Sequence, residues 1–178
     1  CASAGLNGFP DQVEGIANGA NALHQTAGDF DGDGDVDLYV GAYDASTKNF
    51  KSYLFQNELG RYKEVSKSFG IDHKITESAG LFADYDNDGF LDLYILGENG
   101  AALYLNAERG QFEKVSNEAG LQASKGTRPV FVDLDHDGDL DIFQVGNGLN
   151  QVFRNNGDKT FSEQSDKMGL AGGAGSID

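Results

Sequence analysis

A nine-residue acidic pattern, D-x-D-x-D-G-x-x-D, occurs three times in the chain and constrains its fold more than any other feature. The copies span residues 29–37, 84–92 and 133–141. In each copy, carboxylates alternate along a short segment, and the third one precedes a glycine that can adopt a positive φ. Such a segment can surround one hard cation with oxygen atoms. Three copies in equivalent places therefore predict three cation sites in a repeated fold.

The position directly after the glycine indicates how part of each cage is built. It is occupied by Asp35, Phe90 or Asp139. Because phenylalanine serves there as well as aspartate, we interpret this position as supplying a backbone carbonyl rather than a side chain.

The acidity of the chain is concentrated in these three loops. The formal net charge is −16, and the loops contain 14 aspartates, so the rest of the chain is close to neutral. Clustered carboxylates repel one another unless a cation neutralises them. The 13 lysines and arginines are scattered, which disfavours nucleic-acid binding.

Composition favours a folded β protein. Apolar residues make up 39 % of the chain, too many for a disordered acidic segment, and no apolar run is long enough to span a membrane. The only cysteine is Cys1, so no internal disulfide or cysteine-based metal site is expected. Cys1 and the small residues after it resemble the start of a mature bacterial lipoprotein, although this can equally be an accident of where the chain begins.

Each loop belongs to a repeat unit. Downstream of the loop, every unit has an apolar run that ends in asparagine, then a run of the F-x-x-V-S type, then Gly-Ile or Gly-Leu. We expect the repeated aromatic residues to form the core between units: Phe55, Tyr104, Phe153, Tyr62, Phe112 and Phe161. The first unit has six extra residues, which we place in a loop around Tyr43 to Lys51.

In each unit, the apolar runs are rich in aromatic or β-branched residues and are bounded by Asn, Gly or Asp. This pattern predicts four short antiparallel strands per unit. No stretch has a sustained helical period, although residues 116–119 can form a single turn. Tandem four-stranded units of this length are typical of propeller blades. The predicted fold class is all-β, with three β-propeller-type blades. The predicted divisions are an N-terminal segment with a spare strand (1–20), three blades (about 21–71, 72–121 and 122–170) and a flexible tail (171–178).

The combined pattern resembles the VCBS/FG-GAP repeat family, whose calcium-binding propeller blades occur in integrin α-subunit heads and in bacterial surface proteins. The resemblance covers roughly residues 21–170. It implies about three calcium ions per chain and an extracellular or cell-surface location. It also implies four side-chain ligands per loop: Asp29, Asp31, Asp33 and Asp37; Asp84, Asp86, Asp88 and Asp92; Asp133, Asp135, Asp137 and Asp141. The carbonyls of Asp35, Phe90 and Asp139 would complete the cages.

Only three units are visible, whereas propellers typically close with four to eight blades. A three-blade arc leaves two blade faces without a neighbour, each an apolar patch. We therefore expect a homo-oligomer or polymer, or a partner chain that completes the propeller. The alternative is that the chain is a fragment of a longer protein.

Other sites fit the sequence less well. An EF-hand needs a glutamate at loop position twelve, which is occupied by Val40, Ile95 and Gln144. Magnesium prefers to keep its waters and rarely uses a cage of four carboxylates. No nucleophile elbow is present, and the histidines His24, His73 and His136 lie at unmatched places, so we do not expect an enzyme.

Two functions remain open. The first is an extracellular calcium-binding structural or interaction protein, in which the loops lock the blades and support self-association. The alternative is a carbohydrate-binding module, or an accessory propeller of a larger extracellular enzyme. For the alternative, residues 43–50 are the candidate contact with a glycan.

Overall fold

The computed structural model describes residues 20–45, 47–71, 79–97, 100–107, 111–121, 126, 128–146 and 150–170. Cys1, His73, most of the predicted N-terminal segment and the predicted tail lie outside this set. Over the described residues, no helix is long and apolar enough to cross a membrane.

The described residues form three sheets, each of four antiparallel strands in sequential order. The first sheet contains β1 Ala20–Gly28, β2 Asp37–Asp44, β3 Asn49–Glu58 and β4 Arg61–Glu64. The second contains β5 Ala79–Ala83, β6 Asp92–Gly97, β7 Gly100–Asn106 and β8 Phe112–Lys114. The third contains β9 Arg128–Val132, β10 Asp141–Val145, β11 Asn150–Asn155 and β12 Phe161–Glu163. The predicted all-β architecture of three propeller-type blades is confirmed, and we call these sheets blades 1, 2 and 3.

The blades pack side by side through both faces of the middle blade. The first strands are neighbours, since β1 contacts β5 and β5 contacts β9. In β6, at the centre of blade 2, all six residues are buried because the strand has a blade on either side. Alternate residues face opposite neighbours, as the two-residue period of a strand requires.

Two apolar cores lie at the junctions between blades. At the first junction, Phe30 of blade 1 packs against Phe112 of blade 2, with ring centroids 5.7 Å apart. At the second, Tyr85 of blade 2 packs against Phe161 of blade 3, with centroids 5.5 Å apart. The repeated aromatic residues of blades 2 and 3 lie in these cores, as predicted.

Each blade ends in a single helical turn closed by a glycine. The predicted turn at 116–119 is present, because the Ala119 amide donates to the Val115 carbonyl at 2.8 Å. The closing glycines Gly70, Gly120 and Gly169 all have positive φ, of 82°, 80° and 68°. A residue without Cβ adopts this conformation at little cost, which explains why each unit ends in Gly-Ile or Gly-Leu.

Backbone hydrogen bonds connect the turn of one blade to the fourth strand of the next. The Phe112 amide donates to the Phe69 carbonyl at 3.3 Å. Likewise, the Phe161 amide donates to the Ala119 carbonyl at 2.9 Å. Both of these backbone bonds therefore have their acceptor in the earlier blade and their donor in the later one.

The six extra residues of the first unit do not form the loop that the sequence predicted. They lengthen β2 and β3 into a long hairpin, in which Tyr43 pairs with Phe50 across the two strands. The ring centroids of this pair are 4.9 Å apart. The hairpin extends because cross-strand aromatic pairs stabilise the antiparallel ladder.

Candidate metal centre

The three acidic loops occupy equivalent places, between the first and second strand of each blade. Each loop brings three carboxylates together, with one oxygen of each within 4.8 Å of the others. The converging sets are Asp29, Asp31 and Asp33 in loop 1, Asp84, Asp86 and Asp92 in loop 2, and Asp133, Asp135 and Asp141 in loop 3. The other predicted side-chain ligands are Asp37, Asp88 and Asp137, which belong to the same loops but not to these sets.

The first aspartate organises each loop by accepting backbone N–H groups. In loop 1, Asp29 Oδ1 accepts from the Gly32 amide at 2.8 Å, and its Oδ2 accepts from the Gly34 amide at 2.9 Å. Asp84 accepts in the same way from the Gly89 amide at 3.0 Å. These bonds are local and are closed by the side chain of an aspartate, as in an Asx turn.

Positive φ angles allow the loops to curl. The glycine after the third aspartate has φ of 95°, 92° and 95° in the three loops. The fourth position is also left-handed, with Gly32 at 72°, Asn87 at 58° and His136 at 63°. His136 is exposed, as the sequence indicated, and its place requires a backbone conformation that asparagine and histidine tolerate better than most residues.

The last aspartate is a buried link between the loop and the third strand. Asp92 Oδ2 accepts from the Tyr85 amide at 3.2 Å, and Asp92 Oδ1 accepts from the Asn106 amide at 2.8 Å. Asp37 and Asp141 make the equivalent bonds in their own blades. Each carboxylate oxygen has two lone pairs, so this structural role leaves room for a cation.

Burial has a clear effect on the linking carboxylates Asp92 and Asp37. Desolvation raises the pKa of Asp92 to about 7, against the opposing effect of its two backbone hydrogen bonds and with further repulsion from Asp86 and Asp88. Desolvation likewise raises the pKa of Asp37 to about 6. A bound cation would favour the charged carboxylates and oppose this shift.

In blades 2 and 3, the asparagine at the end of the third strand connects neighbouring blades. Asn106 Nδ2 donates to the Leu91 carbonyl of its own loop at 3.0 Å and to the Phe30 carbonyl of loop 1 at 2.7 Å. Asn155 Nδ2 reaches the Tyr85 carbonyl of loop 2 at 2.8 Å. The sequence pattern predicts this asparagine only as the end of an apolar run, although its constant distance from the last aspartate in units 2 and 3 is a signal of this pairing.

The second aspartate of each loop is met by a different donor. In loop 1, Gln56 Nε2 donates to Asp31 Oδ2 at 2.6 Å. In loop 2, Lys159 of blade 3 places its Nζ 2.6 Å from Asp86 Oδ2. These contacts were not predicted from the sequence.

In loop 3 the donor is a guanidinium group. Arg154 Nη2 lies 2.5 Å from Asp135 Oδ2 and 3.1 Å from Asp137 Oδ2. The backbone amide of Asp139 and the Arg154 side chain hold the pKa of Asp137 below its usual value.

At the position after the glycine, the aspartate side chains have partners of their own. Asp35 Oδ2 accepts from the Leu59 amide at 2.7 Å, and Asp139 Oδ1 accepts from Asn87 Nδ2 at 2.8 Å. These contacts are consistent with a cation ligand supplied by the backbone carbonyl at this position, which stays a prediction.

The donor set of each loop fits a hard divalent cation. The converging atoms are carboxylate oxygens, with no histidine or cysteine in the three sets found among the described residues. Oxygen cages of this kind suit calcium better than zinc or copper, which prefer nitrogen and sulfur.

Comparison with known proteins gives one family and several structural similarities, of which two are described here. The model of the FG-GAP-like repeat matches three overlapping segments, residues 29–95, 84–144 and 133–178. No curated protein matches the chain. An Agrocybe aegerita lectin that specifically recognises non-reducing terminal N-acetylglucosamine is 22% identical over 81% of the chain, with a TM-score of 0.46. The Tc holotoxin pore of Photorhabdus luminescens is 14% identical over 79%, with a TM-score of 0.39. The chain spans 37% and 9% of the lengths of these two proteins.

Proposed function

Because the chain belongs to the FG-GAP-like repeat family, whose members are typical of extracellular proteins, we propose that it is an extracellular interaction domain in which calcium locks the blades. The observation that carries this proposal is the convergence of three carboxylates in every loop. The proposed role is non-catalytic. A lipid anchor at Cys1 stays a prediction.

Calcium would act on the junctions because the loops are part of them. Each loop is attached to its own third strand by the last aspartate, and loops 1 and 2 are attached to the next blade by Asn106 and Asn155. Neutralising the carboxylates removes the repulsion that opposes this arrangement. A tenfold excess of calcium over the dissociation constant stabilises the fold by about 1.4 kcal/mol per site.

Self-association is the second part of the proposal. At the outer face of blade 3, Met168 and Leu170 are 40% and 37% exposed, whereas the equivalent residues Ala119 and Leu121 are each 1% exposed beneath blade 3. Removing such apolar surface from water favours association. We infer that a further blade, from a second copy or a partner chain, covers this face.

Calorimetric titration of the chain with calcium, followed by denaturation in calcium and in excess chelator, tests the proposal. We expect about three ions per chain and a loss of several kcal/mol of stability on chelation. Asp29→Asn should remove one ion, whereas the exposed Asp166→Asn should remove none. A chain that binds no calcium at millimolar concentration, or whose stability is unchanged by chelator, would contradict calcium locking.

Particle mass tests self-association separately. Light scattering in millimolar calcium should report a multiple of the chain mass, and Leu170→Glu should reduce it to a monomer. A monomeric wild-type chain in calcium would contradict cover by a second copy, which would leave a partner chain to cover the face and calcium binding intact.

The long β2–β3 hairpin favours glycan binding as a second candidate. Its cross-strand pair of Tyr43 and Phe50 is only partly buried, and the flat face of either ring is a surface on which a sugar ring can stack. Glycan-array binding by the wild type that is lost in a Tyr43→Ala, Phe50→Ala double variant would favour this function. An array without signal would count against it.

A further inference from the structure

The three loops differ in the charge of the side chain that meets the second aspartate. Asp31 in loop 1 is met by the neutral amide of Gln56. Asp86 in loop 2 is met by an ammonium group, and Asp135 in loop 3 by a guanidinium group. In all three loops this aspartate belongs to the converging set. A metal ion would therefore meet a positive side chain in two loops but not in the first.

We propose that Lys159 and Arg154 are internal counter-cations that compete with calcium, so that loop 1 fills first and loops 2 and 3 fill at higher calcium. This inference rests on the proposed function. It adds an order in which calcium occupies the three loops, which their similar sequences do not suggest. Lys159 comes from blade 3 whereas Asp86 belongs to blade 2. Filling of loop 2 is therefore coupled to the contact between these blades.

The geometry of loop 2 determines which partner moves. The Asp86 side chain is 1% exposed, whereas the Lys159 side chain is 55% exposed. A divalent cation and an ammonium group on the same carboxylate repel each other strongly where water screens them little. Because the carboxylate is enclosed and the lysine is long and flexible, calcium entry requires Lys159 to withdraw.

A cavity beside Asp86 can accommodate the Lys159 ammonium group when it leaves this carboxylate. Its volume is about 260 Å³, and it lies between loop 2 and the β11–β12 hairpin. Asp139 and Asp158 line it together with Asp86 and Lys159. The ammonium group can therefore exchange one carboxylate for another at the same junction, which lowers the cost of leaving Asp86.

Loop 3 carries a more exposed version of the same arrangement. Arg154 is 49% exposed and contacts both Asp135 and Asp137. The equivalent residue is Gln56 in the first unit and Leu105 in the second. Arg154→Gln is therefore a conservative change, because it places in loop 3 the side chain that unit 1 has at the equivalent position.

Calorimetric titration of the full chain with calcium tests the inference, with each loop assigned by an Asp→Asn change at its first position. In the wild type, we expect loop 1 to bind most tightly. Lys159→Gln should tighten loop 2 by about tenfold, and Arg154→Gln should tighten loop 3 by a similar or smaller factor. The reciprocal change, Gln56→Arg, should weaken loop 1. The control is Lys114→Gln, which removes an exposed lysine from strand β8.

The outcomes separate this inference from the function on which it rests. A wild-type chain that binds no calcium would overturn the proposed function. Three loops of equal affinity, unchanged by Lys159→Gln, would overturn the inference and leave the proposed function standing. An equal tightening of every loop by Lys159→Gln and Lys114→Gln would also overturn it, because the effect would then be a change in overall charge.

Discussion

The turns that close blades 2 and 3 have the same backbone but different surroundings. Leu121 donates its amide to the Ser116 carbonyl at 2.9 Å, and Leu170 donates to the Ser165 carbonyl at 3.0 Å. Leu121 is nevertheless buried beneath the next blade, whereas Leu170 is substantially exposed. The hydrogen bonds of a blade thus shape its turn without a neighbour, and the neighbour adds the burial. The hydrogen bonds of the turn thus lie within one blade, whereas the apolar core is formed by two neighbouring blades.

The largest expected difference is between Leu121→Ala and Leu170→Ala. The first change creates a cavity in the core between blades 2 and 3 and should lower the free energy of unfolding by about 3 kcal/mol. The second removes a partly exposed side chain and should cost less than about 1 kcal/mol. Urea denaturation of both variants measures the difference. The difference applies to the single chain, at dilutions at which it does not associate. A loss for Leu170→Ala that rises towards that of Leu121→Ala at high chain concentration would support the proposed cover by a further blade, and equal losses at every dilution would contradict the exposure of Leu170 in the single chain.

Gly120→Ala and Gly169→Ala should introduce the same backbone strain but different contacts between blades. Each glycine has a positive φ, so both changes should cost about 1 kcal/mol. At Gly120 the new Cβ would also lie 2.6 Å from the Phe161 carbonyl oxygen, whereas at Gly169 no described atom lies within 4 Å. The clash should add about 1–2 kcal/mol at Gly120. Matched thermal denaturation curves would contradict the tight junction.

Asn106 and Asn57 occupy equivalent positions near the end of a third strand, but only Asn106 bonds to another blade. We therefore compare the stability of the Asn106→Ala and Asn57→Ala variants. Both asparagines donate to a carbonyl of their own loop, at 3.0 Å in each case. Asn106 also donates to the Phe30 carbonyl of blade 1. Its replacement should therefore cost about 1 kcal/mol more, because it leaves a buried carbonyl unpaired. Hydrogen exchange should show the added opening at the junction of blades 1 and 2.

Tyr85→Phe is the smallest and the only stabilising change that we expect. Among the described residues, the Tyr85 hydroxyl is the one buried side-chain polar atom without a hydrogen-bond partner. Blade 1 has Phe30 at the equivalent place. Removing the hydroxyl should leave the stability unchanged or raise it by up to about 1 kcal/mol. A clear loss in denaturation experiments would show that the hydroxyl has a partner in solution.

The sequence predicted what is repeated and local. The acidic loops, four strands per unit and the glycine of positive φ recur in every unit, so each copy supports the interpretation of the others. The exposure of His136 followed from its alignment with Gly32 and Asn87.

Features that belong to a single unit could not be predicted in this way. Lys159 and Asp86 are 73 positions apart and form a pair only because two blades pack together. The extra residues of unit 1 were equally compatible with a loop, and their pairing as a hairpin depends on a register that composition does not reveal.

The hydrogen bonds that backbone carbonyls accept at the junctions all run in one direction along the chain, whereas the side chains of Asn87 and Tyr94 in blade 2 donate to blade 3. At both junctions, the carbonyls of Phe69, Ala119, Phe30 and Tyr85 accept from residues later in the chain. During synthesis from the N-terminus, each blade therefore presents these carbonyl acceptors before the matching donors of the next blade have left the ribosome. Assembly can proceed one blade at a time, with every finished blade serving as the template for its successor.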